Sequence, residues 1–218
     1  MPRLIGVSNC MDILLIRHGE THYNTEHRIY GHAQIPLNER GKLQAQAVAN
    51  RLKDTPIDAI YSSDLVRAYA TAQSIAAHHP LHVHTDAGLR EVDVGRWEHL
   101  TEVEVARSYA REYADFRMRP GEAPYLGGES FQQVQQRAWH VLEGCIHTHA
   151  DAHTICIVCH AGTISALVCA ILQVNINHHP RLRIDNCAIS RLTVTPEGIQ
   201  LATLNDNTHA ATRRGGMV

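Results

Sequence analysis

Apolar and polar positions follow two periods along the chain, and the switches between them predict its elements. Asp12-Ile13-Leu14-Leu15-Ile16 is a short continuous apolar run, the pattern of a parallel strand covered on both faces. After Pro36-Leu37 a helical period begins, with Asn38 as its cap and Leu43, Ala47, Val48 and Leu52 on one face. A second strand is expected over 58–63, followed by a helix carrying Leu65, Ala68, Ala72, Ile75 and Ala76. Leu81-His82-Val83 gives a weaker strand signal. Helix returns over about 130–147, then a buried strand over 154–159 and a helix over about 162–172. Two closing strands, 188–194 and 199–204, flank the turn signal Thr195-Pro196-Glu197-Gly198.

Strands alternating with helices up to a closing hairpin predict an α/β fold: a three-layer α/β/α sandwich on a mostly parallel, mixed sheet. A chain of 218 residues is expected to form one domain over 1–218, with its core at about 11–209. The stretch 95–129 has a different character. It interleaves Trp97, Tyr109, Tyr113, Phe116 and Tyr125 with Arg107, Arg111, Arg117 and Arg119, and closes on Gly127-Gly128. Helix plus irregular loop, inserted over the active-site end of the sheet, is the expectation there.

Composition narrows the function classes. With 44% hydrophobic and 19% charged residues the chain resembles an ordinary globular protein. The formal net charge is −2 without a basic stripe, so no nucleic-acid partner is expected, and any anionic ligand must be held by a few placed cations. No apolar run approaches the roughly 20 residues that span a bilayer, so no membrane partner is expected. Residues 1–7 are too short and too soon interrupted for a secretory leader, residues 1–10 read as a dispensable lead-in before Met11, and the tail 212–218 reads as frayed. Among six cysteines, Cys156 and Cys159 form a C-x-x-C, but an odd separation on a strand points them to opposite faces. They read as buried hydrophobes in a reducing, cytoplasmic compartment. Of 17 histidines, the pairs His78-His79 and His178-His179, each before a proline, read as solvated, and no metal site is expected.

Two apolar strands end in a histidine followed by a small residue: Ile16-Arg17-His18-Gly19 and Cys159-His160-Ala161-Gly162. Ligands of open α/β sheets bind beyond the carboxyl ends of the strands, so both histidines are expected to face one pocket. Arg17 precedes His18, and Arg67 lies one turn into the helix after the second strand. The plain alternative for Arg67 is a surface residue paired to Asp64 at i,i+3. A histidine–arginine set of this kind suits phosphoryl transfer without a metal: a neutral imidazole attacks phosphorus, and guanidinium groups grip the oxygens bidentately. The departing alkoxide needs a proton, for which Glu91 is the first candidate by position, where a short strand is expected to give way to the aromatic insert. Asp93 and Glu20 are its competitors.

These residues resemble the histidine phosphatase superfamily, or phosphoglycerate-mutase-like proteins. The similar blocks are Arg17-His18-Gly19-Glu20-Thr21 with Asn24; Gly31 through Pro36-Leu37 and Gly41; Ser62-Ser63-Asp64-Leu65 with Arg67-Ala68 and Thr71-Ala72; Leu89-Arg90-Glu91 with Gly95 and Trp97-Glu98; Gly127-Gly128-Glu129-Ser130; and His160-Ala161-Gly162. The resemblance implies that His18 is phosphorylated, that Arg17, Arg67 and His160 complete the phosphate pocket, and that Glu91 is the proton donor and later the base. It also implies substrate or phosphate contacts from Asn24, Gly31 and Gly162, and no cofactor. Two positions depart from the family pattern: Gln34 stands where Asp is frequent, and His99 where Gly is usual.

The activity implied is that of a phosphatase of the histidine acid type, hydrolysing a small phosphorylated metabolite, as a monomer or homodimer. Broad-specificity and α-ribazole phosphatases are the nearest branch. The alternatives are a cofactor-dependent phosphoglycerate mutase and, in another class, a non-catalytic phosphate-binding scaffold.

Overall fold

The computed structural model describes residues 10–210. The expected lead-in, apart from Cys10, and the expected frayed tail lie outside the described residues. One six-stranded sheet organises the molecule. Its strands are β1 (Met11–Arg17), β2 (Ala59–Ser62), β3 (Val83–Thr85), β4 (Thr154–Cys159), β5 (Ile189–Thr195) and β6 (Gly198–Asp206). Their spatial order is β3-β2-β4-β1-β5-β6. β3, β2, β4 and β1 pair in parallel, and β5 runs antiparallel to both β1 and β6.

Seven α-helices are described: α1 (His22–Thr25), α2 (Glu39–Leu52), α3 (Val66–Ala76), α4 (Glu102–Ser108), α5 (Ala110–Met118), α6 (Phe131–Thr148) and α7 (Ala161–Ile171). Alternation along β1 sorts the layers. Met11, Ile13 and Leu15 join α6 and α7 residues such as Leu142, Ile146, Ile164 and Leu167 on one face. Leu14 and Ile16 join Ala45, Val48, Leu52, Ala68 and Ile75 of α2 and α3 on the other. Each fully buried aliphatic side chain is worth about 1.5–3 kcal/mol, so the two faces together commit the sheet to a central layer. This is the three-layer α/β/α arrangement with a mixed sheet that the alternation predicts. Cys156 and Cys159 fall in opposite cores, both buried and free.

Several expected details change. Asn38 does cap α2, accepting the Gly41 N–H at 2.7 Å, but Leu43 is 67% exposed. The buried face is Gly41, Ala45, Val48, Ala49 and Leu52. Gly41 sets that rotation, because its Cα packs so closely on the Glu20 backbone that a Cβ there would overlap it. The third strand starts at Val83, beyond the apolar signal at Leu81. No strand leads into Glu91; a 3-10 turn, Ala87–Leu89, does. His179 is buried in the 3-10 segment Ile176–Arg181, stacked on Phe131 with ring centroids 3.7 Å apart, whereas its neighbour His178 is exposed. Packing against the start of α6 draws His179 in.

The aromatic stretch folds as a 3-10 turn (Gly95–Trp97), α4, α5 and an irregular return. Its aromatic side chains gather on buried Trp97, with Tyr113, Phe116 and Tyr125 ring centroids 5.9, 5.3 and 5.1 Å away. His99, at the position where a glycine is usual, has φ 71°, the left-handed region that glycine enters most easily. Its Nδ1 lies 2.9 Å from the Tyr23 hydroxyl.

Candidate active site

Strand register brings the two histidines together. β1 and β4 pair in parallel with Arg17 opposite Cys159, so the next residue on each, His18 and His160, emerges at the same sheet edge. Their ring centroids are 5.1 Å apart, and both are buried. The next strand, β2, ends at Ser62, and the Ser63 N–H bonds to the Val158 carbonyl. Ser63 Oγ thereby comes to lie 2.9 Å from His160 Nε2. Three adjacent parallel strands thus deliver His18, His160 and Ser63 to one carboxyl edge.

The His18 ring has a defined tautomer. Its Nδ1 is 2.7 Å from the Gly19 carbonyl, which can only accept, so Nδ1 carries the proton and Nε2 keeps its lone pair. Burial, then the charges of Arg67 and Arg17, hold His18 well below the usual histidine range. It is neutral at physiological pH. The main chain around it is fixed by the His18 N–H to Cys159 O bond (3.0 Å) and by Asn186 Nδ2 donating to His18 O (3.0 Å). Burial, with Arg67 next, likewise keeps His160 neutral.

Arg67 is fully buried, which overturns the surface alternative; Asp64 pairs with Arg90 instead. Arg67 donates to the carbonyls of Gly31 and Ala33 (both 2.8 Å), and its guanidinium lies 4.6 Å from the Tyr30 ring centroid. It has no ion-pair partner among the described residues, and burial pulls it below the usual arginine range. An unpaired buried cation costs several kcal/mol, a burden that an anion at this position relieves. Arg17 is anchored through Ile184 O at 2.7 Å. Six side-chain nitrogens among the described residues are buried without a hydrogen-bond partner: Arg17 Nε, Arg67 Nε and His160 Nδ1 at this site, and His79 Nε2, Trp97 Nε1 and His209 Nδ1 away from it. The first three belong to the residues that the resemblance names as completing the phosphate pocket around His18.

Glu91 reaches the same region. Its Oε2 accepts the Gly162 N–H and its Oε1 the Val92 N–H, both at 3.0 Å. Arg137 holds the segment from behind, donating to the carbonyls of Gly88, Arg90 and Glu91 and pairing with Glu129. The competitors point elsewhere. Glu20 Oε1 accepts from Asn38 Nδ2, and Asp93 Oδ1 from the Gly95 N–H.

The remaining candidates divide. Asn24 sits in the α1 capping box with its Oδ1 taken by Thr21, leaving its amide N–H groups available. Gly31 stands behind Arg67: its carbonyl accepts from Arg67 and its N–H donates to Glu98 Oε1 at 3.1 Å. The Gly162 N–H is committed to Glu91. Gln34 has a structural task, with Oε1 accepting the Val66 N–H at the start of α3 (3.0 Å). Ser63, Tyr30, Asn186, Arg137 and the Phe131–His179 pair escaped the sequence reading as site-forming residues. Only Ser63 carried a usable signal, as the residue after an apolar strand.

No group of three or more His, Cys, Asp or Glu among the described residues is arranged to hold a metal ion. No helix among them is long and apolar enough to cross a membrane.

Known proteins resemble this chain over most of its length. The model of the Histidine phosphatase superfamily (branch 1) matches residues 13–207. Phosphoserine phosphatase 1 of Hydrogenobacter thermophilus is 31% identical over 197 residues, covering 90% of this chain and 93% of that protein. The "Probable phosphoglycerate mutase GpmB" of Cronobacter sakazakii is 36% identical over 184 residues, 84% of each chain. The crystal structure of the alpha-ribazole phosphatase from Shigella flexneri superposes with a TM-score of 0.83 at 29% identity, covering 90% of this chain and 97% of that one.

Proposed function

The chain belongs to the histidine phosphatase superfamily (branch 1), and from that premise we propose that it is a phosphomonoesterase working through a phosphohistidine on His18. One observation carries the reading: a neutral His18 with its proton fixed on Nδ1 stands beside a buried Arg67 that has no carboxylate partner among the described residues.

His18 Nε2 attacks phosphorus in line, forming the N–P bond as the ester P–O bond breaks. Arg17 and Arg67 neutralise charge on the equatorial oxygens. His160 donates from Nδ1, which we assign as protonated because the Ser63 hydroxyl has no acceptor for its proton among the described residues other than His160 Nε2, so Nε2 is the accepting nitrogen. Asn24 adds its amide donors. Glu91 gives its proton to the leaving oxygen. It then takes one from the water that attacks phosphorus and breaks the N–P bond, releasing inorganic phosphate. These steps need no cofactor, metal, nucleic acid or membrane, and the free cysteines fit a reducing cytoplasm.

A mutase reading has the Cronobacter relative's name in its favour. Turnover of an aryl phosphate in excess chelator, with no interconversion of 2- and 3-phosphoglycerate, supports the phosphatase. Rapid interconversion supports the mutase. Phosphate binding without turnover of any ester supports the scaffold.

A further inference from the structure

The acceptor that fixes the His18 proton is a backbone carbonyl, which keeps its direction only if its own peptide is held. The Gly19–Glu20 peptide turns its C=O to His18 Nδ1 at 2.7 Å and its N–H, on the other side, to Gln44 Oε1 at 2.8 Å. Gln44 lies on α2, 24 positions beyond Glu20, and is half-buried. It is not among the residues that the resemblance names.

The neighbouring backbone groups are taken as well. The Gly19 N–H donates to Thr71 Oγ1 at 3.1 Å, and the Glu20 C=O accepts the Asn38 N–H at 2.9 Å. Close packing brings Gln44 within reach. A Cβ on Gly19 would overlap the Gly41 carbonyl, and one on Gly41 would overlap the Glu20 carbonyl, so no side chain separates α2 from this peptide. Gly41 and Gln44 are three residues apart and share a face of the helix. The approach that Gly41 permits therefore carries the Gln44 side chain to the Glu20 N–H.

A peptide whose N–H is accepted becomes a better acceptor at its C=O. The chain Gln44 Oε1, Glu20 N–H, Gly19 C=O and His18 Nδ1–H runs in one direction and pushes electron density toward His18 Nε2. As Nε2 bonds phosphorus and the ester P–O bond breaks, positive charge develops on the ring. Nδ1 keeps its proton throughout, and the Gly19 carbonyl meets that charge.

We propose that Gln44 is a positioning residue: through the Gly19–Glu20 peptide it holds and strengthens the acceptor of the His18 Nδ1–H, which favours formation of the phosphorylated ring. The proposal rests on the phosphohistidine reading and assigns a further residue to that same reaction.

The two chemical steps separate this role from a merely structural one. Gln44 favours the phosphorylated ring, so its loss slows formation without slowing breakdown, whereas a loosened site slows both. The test is rapid quench of the purified full chain with radiolabelled 4-nitrophenyl phosphate, followed by a chase with unlabelled ester. Gln44→Met fills the same space without an amide oxygen. It is expected to slow appearance of label about threefold or more, the scale of one ordinary hydrogen bond, while label decays in the chase no more slowly than in the wild type. Gln44→Glu keeps an acceptor oxygen at the same reach and is expected to restore formation to within about twofold. Val48→Ala, which opens a cavity under the same helix, is expected to lower Tm and leave both steps unchanged.

Formation slowed less than threefold in Gln44→Met, equal slowing of both steps, or no recovery in Gln44→Glu overturns the role of Gln44 and leaves the phosphohistidine standing. Absence of label from the wild type overturns both. Should Gln44→Met fail to fold, NMR of the wild-type chain decides. On binding vanadate, a mimic of phosphorus under attack, the His18 Nδ1–H and Glu20 N–H resonances are expected to move downfield together. A Glu20 N–H that stays in place overturns the proposal.

Discussion

Glu91 Oε2 accepts the backbone N–H of Gly162 at 3.0 Å, tying the proposed proton donor to the first turn of α7. That helix has His160 as its N-cap, so the carboxyl and one wall of the phosphate pocket are held by the same chain end.

The closeness of that contact makes Gly162 a sensitive position. A Cβ there would overlap Glu91 Oε1 and Phe131 Cε1. Gly162→Ala is expected to cut kcat on alkyl phosphates by about 10²-fold, within the usual range for losing a positioned general acid. The loss on 4-nitrophenyl phosphate, whose leaving group needs little help, is expected to be much smaller. Parallel kinetics on the two esters check this, and equal losses would remove Glu91 from the acid role.

Arg67 reaches two carbonyls with one planar group, those of Gly31 and Ala33. A lysine ammonium cannot span both and still face phosphate bidentately. Arg67→Lys is expected to lower kcat/KM by about 10²–10³-fold, as loss of a positioned charge donor typically does. A loss below about threefold would show that a point charge suffices at this position.

The pH–rate profile follows from the depressed His18. Because burial and two arginines keep it neutral well below the usual histidine range, the nucleophile stays competent as pH falls from 7 to 5. After correction for the ester's own ionisation, kcat/KM is expected to show no falling limb near 6.5. Such a limb, belonging to the free enzyme, would contradict the tautomer and charge state assigned to His18.

Stability has the opposite dependence. His18, His160 and His179 are all held below their usual range by burial, His179 at about 4. In the unfolded chain each titrates near 6.5, so below that pH the unfolded state binds protons that the folded state refuses. The stability is present above about 6.5 and lost as pH falls from there toward about 4 and below. Thermal melts are expected to show Tm dropping between pH 7 and 5, with a shallower drop in His179→Phe. A Tm that rises toward pH 5 would refute this assignment.

The sheet was legible in the sequence because β1 and β4 are near-continuous apolar runs, buried on both faces in the structure. The histidines that end them were legible for the same reason: register carries Arg17 and Cys159 to one level, and the next residues follow. Helix faces were less so. Leu43 fits the apolar period of α2 yet lies outside, since Gly41 and its contact with the Glu20 backbone set the helix rotation. For Arg67, read as a phosphate ligand, the spacing alone left a surface pairing with Asp64 open, because its true partners, the carbonyls of Gly31 and Ala33, are more than 30 positions away along the chain. Histidine pairs before prolines suggest solvent, and only tertiary packing against Phe131 draws His179 inward.

The most direct test of the central claim is to trap the phosphoenzyme. Rapid mixing with radiolabelled 1-naphthyl phosphate, followed by alkaline quench and peptide mapping, is expected to place base-stable, acid-labile label on the peptide containing His18. The His18→Ala variant is expected to give neither label nor turnover. Label on another residue, or turnover undiminished in His18→Ala, would contradict the account.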